Sequence, residues 1–277
     1  MAESSSGGPC RRGAGRARIT SGGLSLRIVG SSSSTPRPGR ASSCYLVSDG
    51  AVTIALDFGS GAFSSLRKVL DYAALDAVIV SHMHADHFLD LVPLRYALAY
   101  GPTRRATGLR VYLPPGGEGV LRGLAATIAT SEPVAFYEPV VELHPYDPNG
   151  TLSFGGLTIR FARARHTLET YAMRVEGAGR TLAYSADTAP CSAIVELARG
   201  ADLFLCEATL GSQPDDGERQ LHATAEEAGS MARDAGVEHL VLTHYGSECD
   251  PAGMRAAARA VFRGRVTIAD DGLEFSV

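Results

Sequence analysis

Ser81-His82-Met83-His84-Ala85-Asp86-His87 places three histidines and an aspartate within six residues, in the order H-x-H-x-D-H. Neutral imidazole nitrogens and a carboxylate are the donors that borderline cations such as zinc accept. Titratable groups this close would repel one another when charged, so a merely solvated polar loop is the weaker reading. The run in front of it, Asp76-Ala77-Val78-Ile79-Val80, reads as a buried strand. The donors therefore sit where a strand gives out into a loop.

The same arrangement recurs downstream. The apolar runs 159–164, 182–185, 203–206 and 240–243 are followed by His166, Asp187, Glu207 and His244. Strand ends on one edge of a rigid sheet can converge on a point, which a metal site requires. With His222 included, six of the eight histidines join this pattern. His144 and His239 do not fit it and read as structural or surface residues. His82, His84, Asp86 and His87 cannot all bind one tetrahedral ion at such short spacing. Two divalent ions, about 3.5–4 Å apart, are the natural solution. Zinc suits these donors first, and manganese and iron suit them as well.

The chain has 277 residues, enough for one large domain or two small ones. Its 45% hydrophobic and 20% charged residues are ordinary for a soluble globular protein. No apolar run reaches membrane-spanning length, so no membrane role is expected. The N-terminal stretch, through residue 23, is rich in Ser, Gly and Arg without an apolar core, and reads as a disordered tail rather than a signal peptide. Five scattered cysteines, never in C-x-x-C spacing, suggest reduced thiols and a cytoplasmic protein. A net charge of −4 gives no bulk support for nucleic-acid binding.

Strands are expected at 24–29, then as a hairpin at 44–47 and 52–56 turning at Asp49-Gly50. Asp57-Phe58-Gly59-Ser60-Gly61 breaks the pattern, and a helix opens at Ser64 or Ser65 and runs to about Ala74. After strand 77–81 a second helix runs to Tyr100, with Pro93 kinking it or marking its real start. A short strand 110–113 and a helix 119–130 precede a proline-rich connector, 131–150, with an extended piece near 140–144. Strands 152–154, 157–162, 171–175 and 181–184 form a meander. Helix 192–199, strand 201–206, a helix from the capping box Thr224-Ala225-Glu226-Glu227 to Ala235, strand 239–242, helix 252–262 and two closing strands finish the chain. No repeat of fixed period is visible. The expected class is α/β, a helix-covered pair of sheets in one domain over 24–277.

The ordered motifs resemble the metallo-β-lactamase superfamily, in its RNase Z-like branch. They are Ser81 to His87, His166, Tyr184-Ser185-Ala186-Asp187-Thr188, Cys206-Glu207-Ala208-Thr209, His222-Ala223-Thr224 and Leu242-Thr243-His244-Tyr245. Asp57 to Gly61 is similar to the family's Asp-x-Gly-x-Gly turn. The resemblance implies an αββα sandwich of two mixed sheets flanked by helices, and a homodimer. It implies that His82, His84 and His166 hold one metal, that Asp86, His87 and His244 hold the other, and that Asp187 bridges them with a water or hydroxide between. Asp57 would orient ligands. Asp86 would also accept a proton from the nucleophile, and His222, oriented by Glu207, would protonate an alkoxide leaving group.

The departures matter. Members that process tRNA carry a long arm, whereas only the twenty residues 167–186 separate His166 from Asp187. Glu169 places a negative charge near the site, and His166-Thr167-Leu168-Glu169-Thr170-Tyr171 is closer to short bacterial members that look like cyclic-nucleotide phosphodiesterases. Ala186 stands where glycine is common. The expectation is a metal-dependent phosphodiesterase acting on a small nucleotide or RNA end. Acyl hydrolysis of a lactone, thioester or β-lactam on the same scaffold is the alternative, and a non-catalytic metal-binding module a distant third.

Overall fold

Apolar residues at nearly every position of a strand require cover on both faces, and that requirement organises this molecule. A computed structural model describes residues 22–129, 135–212 and 221–277. The expected tail through residue 21, the end of helix 119–130, the first residues of the connector and Cys10 lie outside the described residues.

The first sheet contains β1 (Ser25–Gly30), β2 (Cys44–Ser48), β3 (Thr53–Leu56), β4 (Ala77–Ile79), β5 (Leu109–Leu113) and β6 (Val141–Pro145), with β14 (Glu274–Ser276) outside β1. The second contains β7 (Thr151–Phe154), β8 (Leu157–Arg163), β9 (Tyr171–Gly177), β10 (Arg180–Tyr184), β11 (Leu203–Glu207), β12 (His239–Thr243) and β13 (Arg265–Ile268). Read from β14 to β6, three antiparallel pairings are followed by three parallel ones. Read from β7 to β13, the same series recurs. A topological repeat is thus present where the sequence shows no period.

Alternation along the strands builds four layers. Tyr45, Val47, Ile54 and Leu56 pack between the sheets against Met173, Val175, Leu182 and Leu205. Their neighbours Cys44, Leu46 and Ala55 face helical residues such as Leu66, Leu94 and Leu121. On the far side Ala183, Phe204 and Leu242 meet Ile194, Ala228 and Met254. The fold is the expected αββα sandwich of two mixed sheets.

The helices are α1 (Ala62–Leu66), α2 (Ala85–Phe88), α3 (Leu91–Tyr100), α4 (Gly117–Ile128), α5 (Ser192–Ala198), α6 (Ala225–Ala235) and α7 (Pro251–Val261). Two depart from expectation. The first is one short helix plus a 3-10 turn, Tyr72–Ala74, because the Asp71 carboxylate accepts the Ala73 N–H and competes with helix continuation. The second is broken into α2 and α3, and Pro93 falls in the first turn of α3, where its missing N–H costs nothing. The Thr224 capping box is formed, with Gly236 at φ 66° closing α6.

Candidate metal centre

β4 pairs for only three residues, and then Ser81 turns its N–H to the Asp57 carboxylate at 2.6 Å. This early exit directs His82 and His84 to the sheet edge, and α2 carries Asp86 and His87 back across it. The loop after β8 supplies His166, the end of β10 supplies Asp187, and the end of β12 supplies His244. Asp57, Ala186 and His244 adopt φ of 59°, 51° and 56°. Each such conformation costs about 1–3 kcal/mol in a residue other than glycine. Hydrogen bonds hold two of them: Asp57 N–H donates to Ile79 O at 2.9 Å and His244 N–H to Ser31 O at 2.9 Å. Ala186 takes a conformation that glycine enters freely, which accounts for the family's preference there.

The side chains gather into two groups that share Asp187. In the first, His84 Nδ1 lies 3.0 Å from His82 Nε2 and 3.1 Å from His166 Nε2. Asp187 Oδ2 is 3.7 Å from each of those Nε2 atoms. In the second, His244 Nε2 lies 3.1 Å from Asp86 Oδ2, 3.3 Å from His87 Nε2 and 3.4 Å from Asp187 Oδ1. Donors bound to one tetrahedral zinc at 2.0–2.1 Å sit about 3.3 Å apart, so both groups have the spacing of a cation's shell.

The outer hydrogen bonds set which nitrogen of each ring faces the centre. His87 Nδ1 donates to Asp57 Oδ2 at 2.8 Å, and His166 Nδ1 donates to Leu221 O at 3.0 Å. Ser81 Oγ donates to Asp57 Oδ2 and so accepts from His82 Nδ1 at 3.0 Å. Each of these rings turns Nε2 to the centre, where a neutral imidazole offers its lone pair to a cation. Asp187 Oδ1 is buried with no hydrogen-bond donor. Lone pairs facing lone pairs at these distances fit a pair of divalent cations.

The electrostatics agree. Burial opposes charge on His87, yet the Asp187 and Asp57 carboxylates raise its pKa well above the usual histidine range. Burial also opposes charge on Asp86 and Asp187, and the surrounding histidines nevertheless hold both carboxylates below the usual range. The box is built to attract positive charge.

Glu207 is the last residue of β11 and fully buried. Its Oε1 accepts from Thr188 N–H at 2.6 Å and from His222 Nδ1 at 2.8 Å. Burial works against a charged His222, but the Glu207 hydrogen bond and charge raise its pKa to about 9. His222 comes within ligand reach of Asp187 and His244. It lines a cleft of about 280 Å³ with Ser34, His84, Ala85, Asp86, Asp187, Thr209 and His244.

All seven expected metal donors and both members of the expected acid pair thus meet at one place. His144 is half-exposed and stacks on Tyr112, while His239 is buried and bonded to Thr267, both away from the centre. Glu169 turns to Arg163 and the Tyr171 hydroxyl and does not line the cleft. Sequence reasoning gave no role to Ser81, Tyr184, Thr209 or Ser34. The Tyr184 hydroxyl donates to Asp57 at 2.7 Å. Ser81, Tyr184 and Thr209 adjoin motif residues, which was their one signal; Ser34 had none.

An αββα sandwich with paired His/Asp groups at the sheet edge defines the metallo-β-lactamase class. A family model described as the beta-lactamase superfamily domain matches residues 56–245, and the chain belongs to that superfamily of metallo-hydrolases. It is 33% identical over 251 residues to an uncharacterized protein of Mycobacterium tuberculosis, spanning 87% of this chain and 88% of the relative. It is 30% identical over 250 residues to the probable metallo-hydrolase YhfI of Bacillus subtilis, spanning 90% and 98%. The crystal structure of YhfI superposes with a TM-score of 0.81 at 28% identity, covering 91% of this chain and 99% of that one. Ribonuclease Z of Mycobacterium bovis is 28% identical over 277 residues, spanning 90% and 96%. Human tRNase Z, short form, shares the fold at a TM-score of 0.72 and 20% identity, over 91% of this chain and 99% of that one. Among the described residues no helix is long and apolar enough to cross a membrane.

Proposed function

We propose that this chain is a dinuclear metal-dependent phosphodiesterase whose substrate is a small nucleotide or an RNA 3′ end. The observation that supports this reading most is the Glu207–His222 pair at the wall of the cleft that Asp86, Asp187 and His244 also line. An alkoxide leaves a phosphodiester poorly unless a proton reaches it, and a positioned acid supplies about 10²–10⁴-fold in rate. His222 holds that proton, and Glu207 fixes the ring through Nδ1. His82, His84 and His166 would hold one cation and Asp86, His87 and His244 the other, with Asp187 between them. When bound, two such cations, zinc by preference, would supply an activated water at neutral pH and charge neutralisation for a phosphoryl oxygen. Asp86 accepts the proton that the nucleophile gives up.

Among the described residues, the cleft lining includes no lysine or arginine. The twenty residues 167–186 leave no room for the long arm of tRNA-processing members, which supports a substrate smaller than tRNA. The ribonuclease Z relatives keep an RNA end within the proposal. The free thiols Cys44, Cys191, Cys206 and Cys249 support a cytoplasmic setting. A homodimer belongs to the same reading, and light scattering measures it.

The test is a side-by-side assay of metal-reconstituted protein on cyclic nucleotides, short RNA, a nitrophenyl phosphodiester and a lactone, with metal measured on the same sample. Phosphodiester cleavage should dominate. His222→Ala should lower turnover of alkoxide-leaving substrates by about 10²-fold or more. The nitrophenyl diester, whose leaving group needs no proton, should be affected far less. Lactone turnover exceeding every phosphodiester rate, with His222→Ala neutral throughout, would establish acyl hydrolysis instead.

A further inference from the structure

One hydroxyl joins the two halves of the chemistry. Thr209 Oγ1 lies 2.7 Å from Glu207 Oε2, 2.8 Å from His244 Nδ1 and 2.9 Å from His244 O. Glu207 already accepts the N–H groups of Thr188, Thr209 and Ala223 along with His222 Nδ1. Both Glu207 carboxylate oxygens are thus met by donors, and the side chain acts here as an acceptor. Thr209 has a single proton. The groups that compete for it are the Glu207 carboxylate and the His244 carbonyl, which cannot donate in return. With that proton spent on either, the oxygen is left to accept from His244 Nδ1–H. That places the His244 lone pair on Nε2, facing Asp86 Oδ2 at 3.1 Å and His87 Nε2 at 3.3 Å.

We infer that Thr209 is a positioning residue: its hydroxyl fixes the tautomer and ring angle of His244 for the second cation and ties that ligand to the carboxylate that orients His222. The inference rests on the reading that Asp86, His87 and His244 hold a cation. It adds that loading of this group depends on a hydroxyl three bonds removed from any donor atom, because the partner of a ligating histidine sets its orientation and basicity. Without the hydroxyl, His244 Nδ1 loses its acceptor, and the opposite tautomer, with Nε2–H pointing at Asp86, becomes competitive.

The experiment titrates zinc into metal-free wild type, Thr209→Val and Thr209→Ser, by calorimetry with a competing chelator. Circular dichroism checks that each is folded. Wild type and Thr209→Ser should each take two equivalents with matching affinities. Thr209→Val, which keeps shape and loses the hydroxyl, should bind the second equivalent about 10–100-fold more weakly and the first unchanged. Two equivalents bound to Thr209→Val at wild-type affinity would overturn the assignment to Thr209 alone. Fewer than two equivalents bound to wild type would overturn the two-cation reading beneath it. If Thr209→Val does not fold, nitrogen NMR of zinc-loaded wild type decides. A His244 Nδ1 proton protected from solvent exchange supports the inference, and a rapidly exchanging one overturns it.

Discussion

Asp57 shows what one buried carboxylate can organise. Its Oδ2 accepts from Ser81 Oγ at 2.9 Å, His87 Nδ1 at 2.8 Å and Tyr184 OH at 2.7 Å. Through Ser81 it orients His82 of the first group, and directly it orients His87 of the second. Asp57→Ala should therefore weaken zinc binding at both groups, by about 10–100-fold each in competition titrations. The donors left unpaired should also cost about 1–3 kcal/mol apiece in urea unfolding. His239, remote from the centre, gives a pH prediction. Burial and the nearby Arg265 lower its pKa to about 4. The folded state thus keeps it neutral while the unfolded chain protonates it below its ordinary value near 6.5. Stability is full above that value and falls as pH drops toward 4. His239→Gln should lose less of its urea midpoint between pH 7 and pH 5 than the wild type does. At this scale the sequence was legible wherever donors are dense, as from His82 to His87. Ser81, Tyr184 and Thr209 escaped notice because hydroxyls are common and their partners lie on other strands.

Elements meet at the centre through close backbone approaches. A Cβ at Gly59 would lie 1.8 Å from Asp86 O, so the turn after β3 can rest against α2 only because that residue is glycine. Gly59→Ala should push α2 outward and destabilise the protein by about 1–3 kcal/mol or more. Its zinc content after dialysis should fall along with its unfolding midpoint, since Asp86 and His87 move with the helix. Strand positions were readable from alternating and continuous apolar runs, and the capping box at Thr224 was readable from four residues. The break between α2 and α3 was half-readable, since Pro93 marked a boundary without telling a kink from a start. The short α1 was not readable, because one carboxylate, Asp71, decides against a helix that the apolar spacing favours.

The whole molecule is two copies of one pairing series laid face to face. A helix-covered pair of sheets was legible from strands with helices between them, and the αββα sandwich from the resemblance that the ordered motifs carry. The repeat was not, because the two halves share a pairing scheme and no residue period. Excess zinc over chelator should raise the unfolding midpoint of the intact protein. A ligand that binds only the folded state adds about 2.7 kcal/mol at one hundred times its dissociation constant. The placement of the donors gives this a further meaning. His82, His84, Asp86 and His87 come from the first half, and His166, Asp187 and His244 from the second. A cation held by both would act as a rivet through the seam, so that parting the sheets would require its release. Amide exchange should then slow in β4 and β12 together when zinc is added, with neither strand gaining protection alone.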